Sequence, residues 1–145
     1  MWKKLKFGKH EGKTLPQVIL SDPDWFFWAI EKNTFDSWGL RDEANDIRQK
    51  ARQIKIPKPN PGNWEIEYFM TLNREFERFA IVRATKPNHV GSSITSRADH
   101  LDLSFVTRIK GYQKGANNRM LDCFRHYYFG GANLTKARCE VRQCR

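Results

Sequence analysis

Apolar positions recur at two different periods along this chain, and the period changes at a proline-rich stretch. Before that stretch the pattern is helical. Leu15, Val18 and Ile19 fall on one side of a short helix that Thr14 can cap. Ser21-Asp22-Pro23-Asp24 predicts a second helix start, with proline tolerated in the first turn and Ser21 and Asp24 placed as a capping box. The helix that follows, through about Lys32, carries aromatic rings on nearly every face, which predicts burial on more than one side. Leu40, Ala44, Ile47, Ala51 and Ile54 predict an amphipathic third helix over 40–54. Upstream of all three, Leu5-Lys6-Phe7 alternates like a short strand, and residues 8–13 read as a glycine turn.

After the prolines the pattern shortens to strands. Residues 64–69, Trp-Glu-Ile-Glu-Tyr-Phe, alternate at first; Leu72-Asn73-Arg74-Glu75 predicts a turn into a second strand over 76–84. Residues 87–93 read as a loop, and Leu101–Val106 as a third strand with one apolar and one polar face. Gly111 to Gly115 brackets a loop, Asn117 and Asn118 are placed to cap a helix through about Phe129, and Gly130-Gly131 ends it. The fold class expected is α+β, a small helical and β-turn module packed with an antiparallel sheet plus helix. The expected domains are 1–56, a proline linker over 57–63, and 64–145. The first is marginal in size alone, hence the expectation that the two pack together.

The 145 residues suit one ordinary domain or two small units sharing a core. No apolar run is long enough to span a membrane, no apolar segment follows the first lysines as in a secretory signal, and three cysteines make no disulfide scaffold. A cytoplasmic protein is therefore expected. Charge adds more. Lysine and arginine number 26 against 16 acidic residues, for a net of +10. The excess is regional: residues 1–13 hold five lysines against Glu11, and residues 108–145 hold nine cations against Asp122 and Glu140. Two basic ends flank a neutral body, and polyanions are natural partners of such ends. A solubilising surface charge with no partner is the plainer reading.

Phe7-Gly8-Lys9-His10-Glu11-Gly12-Lys13-Thr14, followed by Asp22-Pro23-Asp24-Trp25 and Trp28, forms a compound motif. Over roughly residues 3–52 it resembles the C-terminal module of exodeoxyribonuclease X-like proteins, shared with a bacterial family of quorum-sensing-regulated virulence factors. The resemblance implies an accessory nucleic-acid module of bacterial or phage proteins, without the catalytic half. The C-terminal unit resembles no such family. Read from the residues themselves, Gly8 and Gly12 permit close backbone approach, and Lys9 and Lys13 would project from a turn with exposed backbone donors, a phosphate grip. The spacing is one residue short of a P-loop. Trp25 and Trp28 read as core rings rather than base-stacking platforms.

The second candidate surface is the basic loop and helix containing Arg108, Lys110, Tyr112, Lys114, Arg119 and Arg125. Its cations would neutralise phosphates, while Tyr112 or Tyr127 could stack on unpaired bases. Catalysis is not expected. No Asp-x-Glu occurs to open a two-metal exonuclease site. Asp99 and Asp102 are candidate metal carboxylates near a strand mouth, or else a cap and a solvent-facing position. Cys123, His126, Cys139 and Cys144 have zinc-like chemistry, but Cys123 lies in an apolar run where a buried thiol is common; the reading adopted is no metal and no cofactor. The function expected is a non-enzymatic DNA- or RNA-binding accessory protein acting mainly through charge. The rivals are an effector that docks on a host protein and a metal-dependent nuclease.

Overall fold

A computed structural model describes residues 2–58, 60–109 and 115–131. Among these residues are six helices and one antiparallel three-stranded sheet, so the fold is α+β. The chain divides into two compact units, with the break between Ala51 and Arg52. No helix among the described residues is long and apolar enough to cross a membrane.

The first unit opens on a tight turn. Lys4 bridges Thr14, Leu5 N–H donates to Lys13 O at 2.9 Å, and Gly12 N–H donates to Leu5 O at 2.8 Å. The expected strand is thus a single bridge. Leu5 is buried, but Phe7, expected on the same face, is 61% exposed because the turn at Gly8 lifts it out. Helices α1 (Leu15–Ile19), α2 (Pro23–Glu31), α3 (Thr34–Ser37) and α4 (Arg41–Arg52) follow. Thr14 precedes α1 as expected, and its backbone N–H donates to Gln17 Oε1 at 3.1 Å. The cap of α2 is Asp22, not Ser21: its carboxylate accepts from Trp25 N–H at 3.3 Å, while the Ser21 hydroxyl turns back to Gln17 O at 2.7 Å. Phe26 and Phe35 are closed from solvent with ring centroids 5.6 Å apart, and α4 turns Ala44, Ile47 and Ala51 inward. Trp28 corrects the core reading, since half of it is exposed. The short α3 has too few residues to show a period.

In the second unit β1 (Trp64–Met70) lies between β2 (Phe76–Arg83) and β3 (Ile94–Ala98), antiparallel to both. Ile66 faces Ile81 on one side and Ala98 on the other, which sets the register, and a bulge follows Phe69. The expected third strand at 101–106 is not one. Leu101 makes an isolated bridge to Ile54, and residues 105–108 form the short helix α5. The polar positions that suggested a solvated strand face are buried instead. Asp102 Oδ1 accepts from Ser104 N–H at 2.8 Å and from the Ser104 hydroxyl at 2.6 Å, a local turn that competes with strand pairing.

Helix α6 (Ala116–Phe129) packs on β2. Its N-cap is Gly115 rather than an asparagine; Asn117 is buried within the first turn. It ends at Gly130, where Gly131 N–H donates to Arg125 O at 2.9 Å.

Tyr68 is the polar pivot of this core. Its ring stacks on Phe105 with centroids 3.9 Å apart, and its hydroxyl accepts from Asp102 N–H at 2.9 Å. Burial pushes the phenol up to about 12. In the unfolded chain it ionises near 10. The unfolded state therefore loses its proton first, and stability falls as pH rises from about 10 through 12. The loss should approach about 2 kcal/mol in urea melts across that range, and Tyr68→Phe should flatten this alkaline slope. An unchanged slope in Tyr68→Phe would exclude the phenol as its source.

Candidate nucleic-acid interface

The two halves of the glycine-turn motif meet in the first unit, and Asp22 joins them. Besides capping α2, its Oδ2 lies 3.0 Å from Lys9 Nζ and 3.0 Å from His10 Nε2. Nε2 is the donor to this carboxylate, which leaves Nδ1 to accept from Lys13 Nζ at 3.5 Å. Burial alone would raise the Asp22 carboxyl, but hydrogen bonds from Lys9, His10 and Trp25 N–H outweigh it and hold it below the usual carboxylate range. His10, which has no evident partner in the sequence, is buried edge-on to Trp25 at 5.0 Å.

Rings continue outward from there. Trp25 lies nearly parallel to Trp38 at 6.4 Å, and Trp38 meets Phe7 at 6.3 Å. A Cβ on Gly8 would come within 3.4 Å of Trp38, and Gly8 has φ +84, so that position combines a left-handed backbone with close aromatic approach. The result is a half-exposed series of rings ending at Phe7. The lysines at 3, 4, 6, 9 and 13, in the turn and just before it in sequence, are all exposed.

The phosphate-grip expectation needs correction on two points. The backbone donors of Glu11, Gly12 and Lys13 are spent on Gly8 O, Leu5 O and His10 O. Lys9 is paired with Asp22, although its side chain remains 66% exposed. The turn therefore offers side-chain cations and ring faces, and those three amides face inward. Trp38 did not enter the sequence reading of the site, and Phe7 entered only as the first residue of the motif, with no binding role; the one signal was their place beside glycines.

In the second unit the expected basic surface is partly committed elsewhere. Lys110, Tyr112 and Lys114 lie outside the described residues, as do Cys139, Cys144 and the cations beyond Gly131. Arg108 Nη2 hydrogen-bonds Asp102 Oδ2, Arg119 Nε donates to Phe76 O at 3.0 Å, and Arg125 pairs with Asp122 at 2.8 Å. Tyr127 packs on Phe69, Ala80 and Val82, and the Tyr128 hydroxyl donates to Lys55 O at 2.9 Å. Both rings serve the interior rather than a stacking surface.

The acidic and metal candidates separate likewise. Asp99 is solvated beside His100, with 2.6 Å between oxygen and Nδ1, and the hydrogen bond from His100 lowers its carboxyl. Asp102 is buried in hydrogen bonds to its own turn. Cys123 is half-buried and burial raises its thiol; His126 is exposed. Among the described residues no three acidic, histidine or cysteine side chains are grouped to hold a metal ion.

No protein-family model matches the chain, and neither a curated protein nor a solved structure matches it. The resemblance of residues 3–52 rests on the motif residues alone.

Proposed function

We propose that the protein is a non-catalytic nucleic-acid-binding accessory or regulatory factor that acts beside the DNA-processing machinery of a bacterium or phage. The observation that carries this reading is the basic turn of the first unit, where Lys9 and Lys13 in the turn and Lys3, Lys4 and Lys6 just before it are all exposed, together with an exposed Phe7 and half-exposed Trp38. Lysines neutralise phosphates without regard to sequence, and a ring face accepts any unpaired base. Such a surface favours single strands, whose bases are free to stack. The motif resemblance supports the same class, and the basic ends add long-range attraction.

Fluorescence anisotropy with labelled single-stranded DNA, duplex DNA and RNA, over a salt series in EDTA and then in Mg²⁺, tests this. Binding should weaken steeply with salt and no strand should be cut. Replacing Lys4, Lys6 and Lys13 with Gln should flatten the single-strand salt slope by about 2, given roughly 0.7 per phosphate contact. Phe7→Ala should weaken single-strand binding by about 5- to 100-fold without changing that slope, as expected for one lost stacked base. Absence of binding at low salt would overturn the proposal and turn attention to an acidic protein partner.

A further inference from the structure

A second feature of the first unit has no part in the interface above. Between the end of α2, the short α3 and α4 lies a cavity of about 220 Å³. Arg41, Asn45 and Arg48 reach it from α4, at the 4-3 spacing that aligns side chains along one helical stripe. Asn33, Phe35 and Asp36 close the other side.

Arg48 lines this space, and its Nε, shut off from solvent, has no hydrogen-bond partner. A guanidinium cannot shed its charge to relieve this, because it stays protonated throughout the range in which proteins are folded. A buried donor without an acceptor costs about 1–3 kcal/mol, more when charged. Asp36 lines the same cavity, yet among the described residues it makes no ion pair with Arg48. Arg41 has only a loose pair, 3.6 Å to the exposed Asp42. Two arginines and two asparagines therefore line one small space that has a single carboxylate residue, Asp36.

We propose that this cavity binds a phosphate group, that of a phosphate monoester. The planar fork of Arg48 suits two oxygens of a tetrahedral oxyanion, and Arg41 supplies the second positive charge that a dianion favours. The amides of Asn33 and Asn45 can donate to the remaining oxygens. Asp36 can accept from a hydroxyl on the organic part, and the Phe35 ring gives that part an apolar wall. At about 220 Å³ the space falls below that of pockets for drug-sized ligands, so it suits the phosphate with a short appendage. The site does not depend on the nucleic-acid reading, since inorganic phosphate is enough to fill it.

The test is a titration of the full chain with inorganic phosphate at constant ionic strength, followed by phosphorus NMR line width and by thermal melting. Phosphate should broaden and should raise the melting temperature, whereas chloride and acetate should not. Arg48→Gln should weaken phosphate binding by about 10- to 100-fold, the loss of one charge-assisted bond, with far-UV circular dichroism unchanged. Should Arg48→Gln fail to fold, Arg41→Gln at the exposed rim provides the same comparison, with a smaller loss expected. Competition then identifies the source of the phosphate. Displacement by a 5′-phosphorylated oligonucleotide but not its 5′-hydroxyl counterpart would mark a nucleic-acid end; displacement by glycerol phosphate but by neither oligonucleotide would mark a metabolite. No binding of phosphate, or equal binding by wild type and both variants, would overturn the proposal.

Discussion

Arg97→Leu is expected to destabilise the protein by about 3–5 kcal/mol, the largest effect of any single side chain considered. Glu67 sits in the middle of the central strand β1 and is 1% exposed. Directly across the register on β3 stands Arg97, with Nε 3.1 Å from Glu67 Oε2. Its Nη1 donates to Lys86 O at 2.8 Å and its Nη2 to Pro87 O at 3.0 Å, and Glu65 lies 3.8 Å away. One guanidinium thus ties two strands to the segment that leaves β2. Leucine would fill similar space but strand a carboxylate out of water with no counter-charge, while the exposed carbonyls of Lys86 and Pro87 would turn to water. Lysine keeps the charge but lacks the fork, so Arg97→Lys should fall between wild type and leucine. The double variant Glu67→Gln/Arg97→Leu should recover part of the loss, because a neutral amide costs less to bury than a charge. Urea unfolding measures all three. An Arg97→Leu midpoint equal to that of wild type would mean that Glu67 finds water or another partner, and the clamp would be refuted.

That pair shows where sequence reading runs out. Glu67 and Arg97 are 30 positions apart, and Glu67 alternates with Ile66 and Tyr68 as a solvated strand residue would. What reverses that reading is a tertiary partner, which no local period reports. Ile94–Ala98 is illegible for the same reason: as an edge strand with three polar or charged residues among five, it shows little alternation. Helices α1, α2, α4 and α6 were legible because their signals are local, whereas the single-turn α3 and α5 were not, α5 lying partly inside an expected strand. The 4-3 spacing of Ala44, Ile47 and Ala51 describes one face of α4, and Thr14 and Gly130 bound their helices by backbone chemistry alone. The motif was legible as a set of residues but not as a geometry. Nothing in its spacing says that His10 would be buried against Asp22, or that the turn's amides would close on its own carbonyls. Cations were overcounted on the second unit for a related reason. Composition records the charge of Arg108, Arg119 and Arg125, whereas folding decides whether each is spent on a neighbour.

Asp102 carries the second large effect, and it separates a structural carboxylate from a catalytic one. Asp102→Ala is expected to cost about 3 kcal/mol, since it leaves the buried N–H and hydroxyl of Ser104 without their acceptor and releases Arg108. Most of that cost lies in the buried donors, because the Arg108 side chain is 55% exposed and its pairing is screened. Asp102→Asn should cost only about 1 kcal/mol, as its amide oxygen can still accept from Ser104 while the charge opposite Arg108 is gone. The adjoining contact gives an internal check: Asp102 N–H donates to the Tyr68 hydroxyl through the backbone, so both variants should keep the alkaline stability loss that Tyr68 confers. If Asp102 held a metal ion instead, Mg²⁺ would raise the unfolding midpoint of wild type, EDTA would lower it, and Asp102→Asn would abolish the difference. The hydrogen-bonded turn predicts identical midpoints in Mg²⁺ and EDTA for all three proteins, with alanine well below asparagine. A carboxylate already surrounded by donors from its own turn and by Arg108 has its lone pairs engaged, and its burial beneath Tyr68 and α5 serves to start that helix where the apolar and polar alternation would have continued a strand.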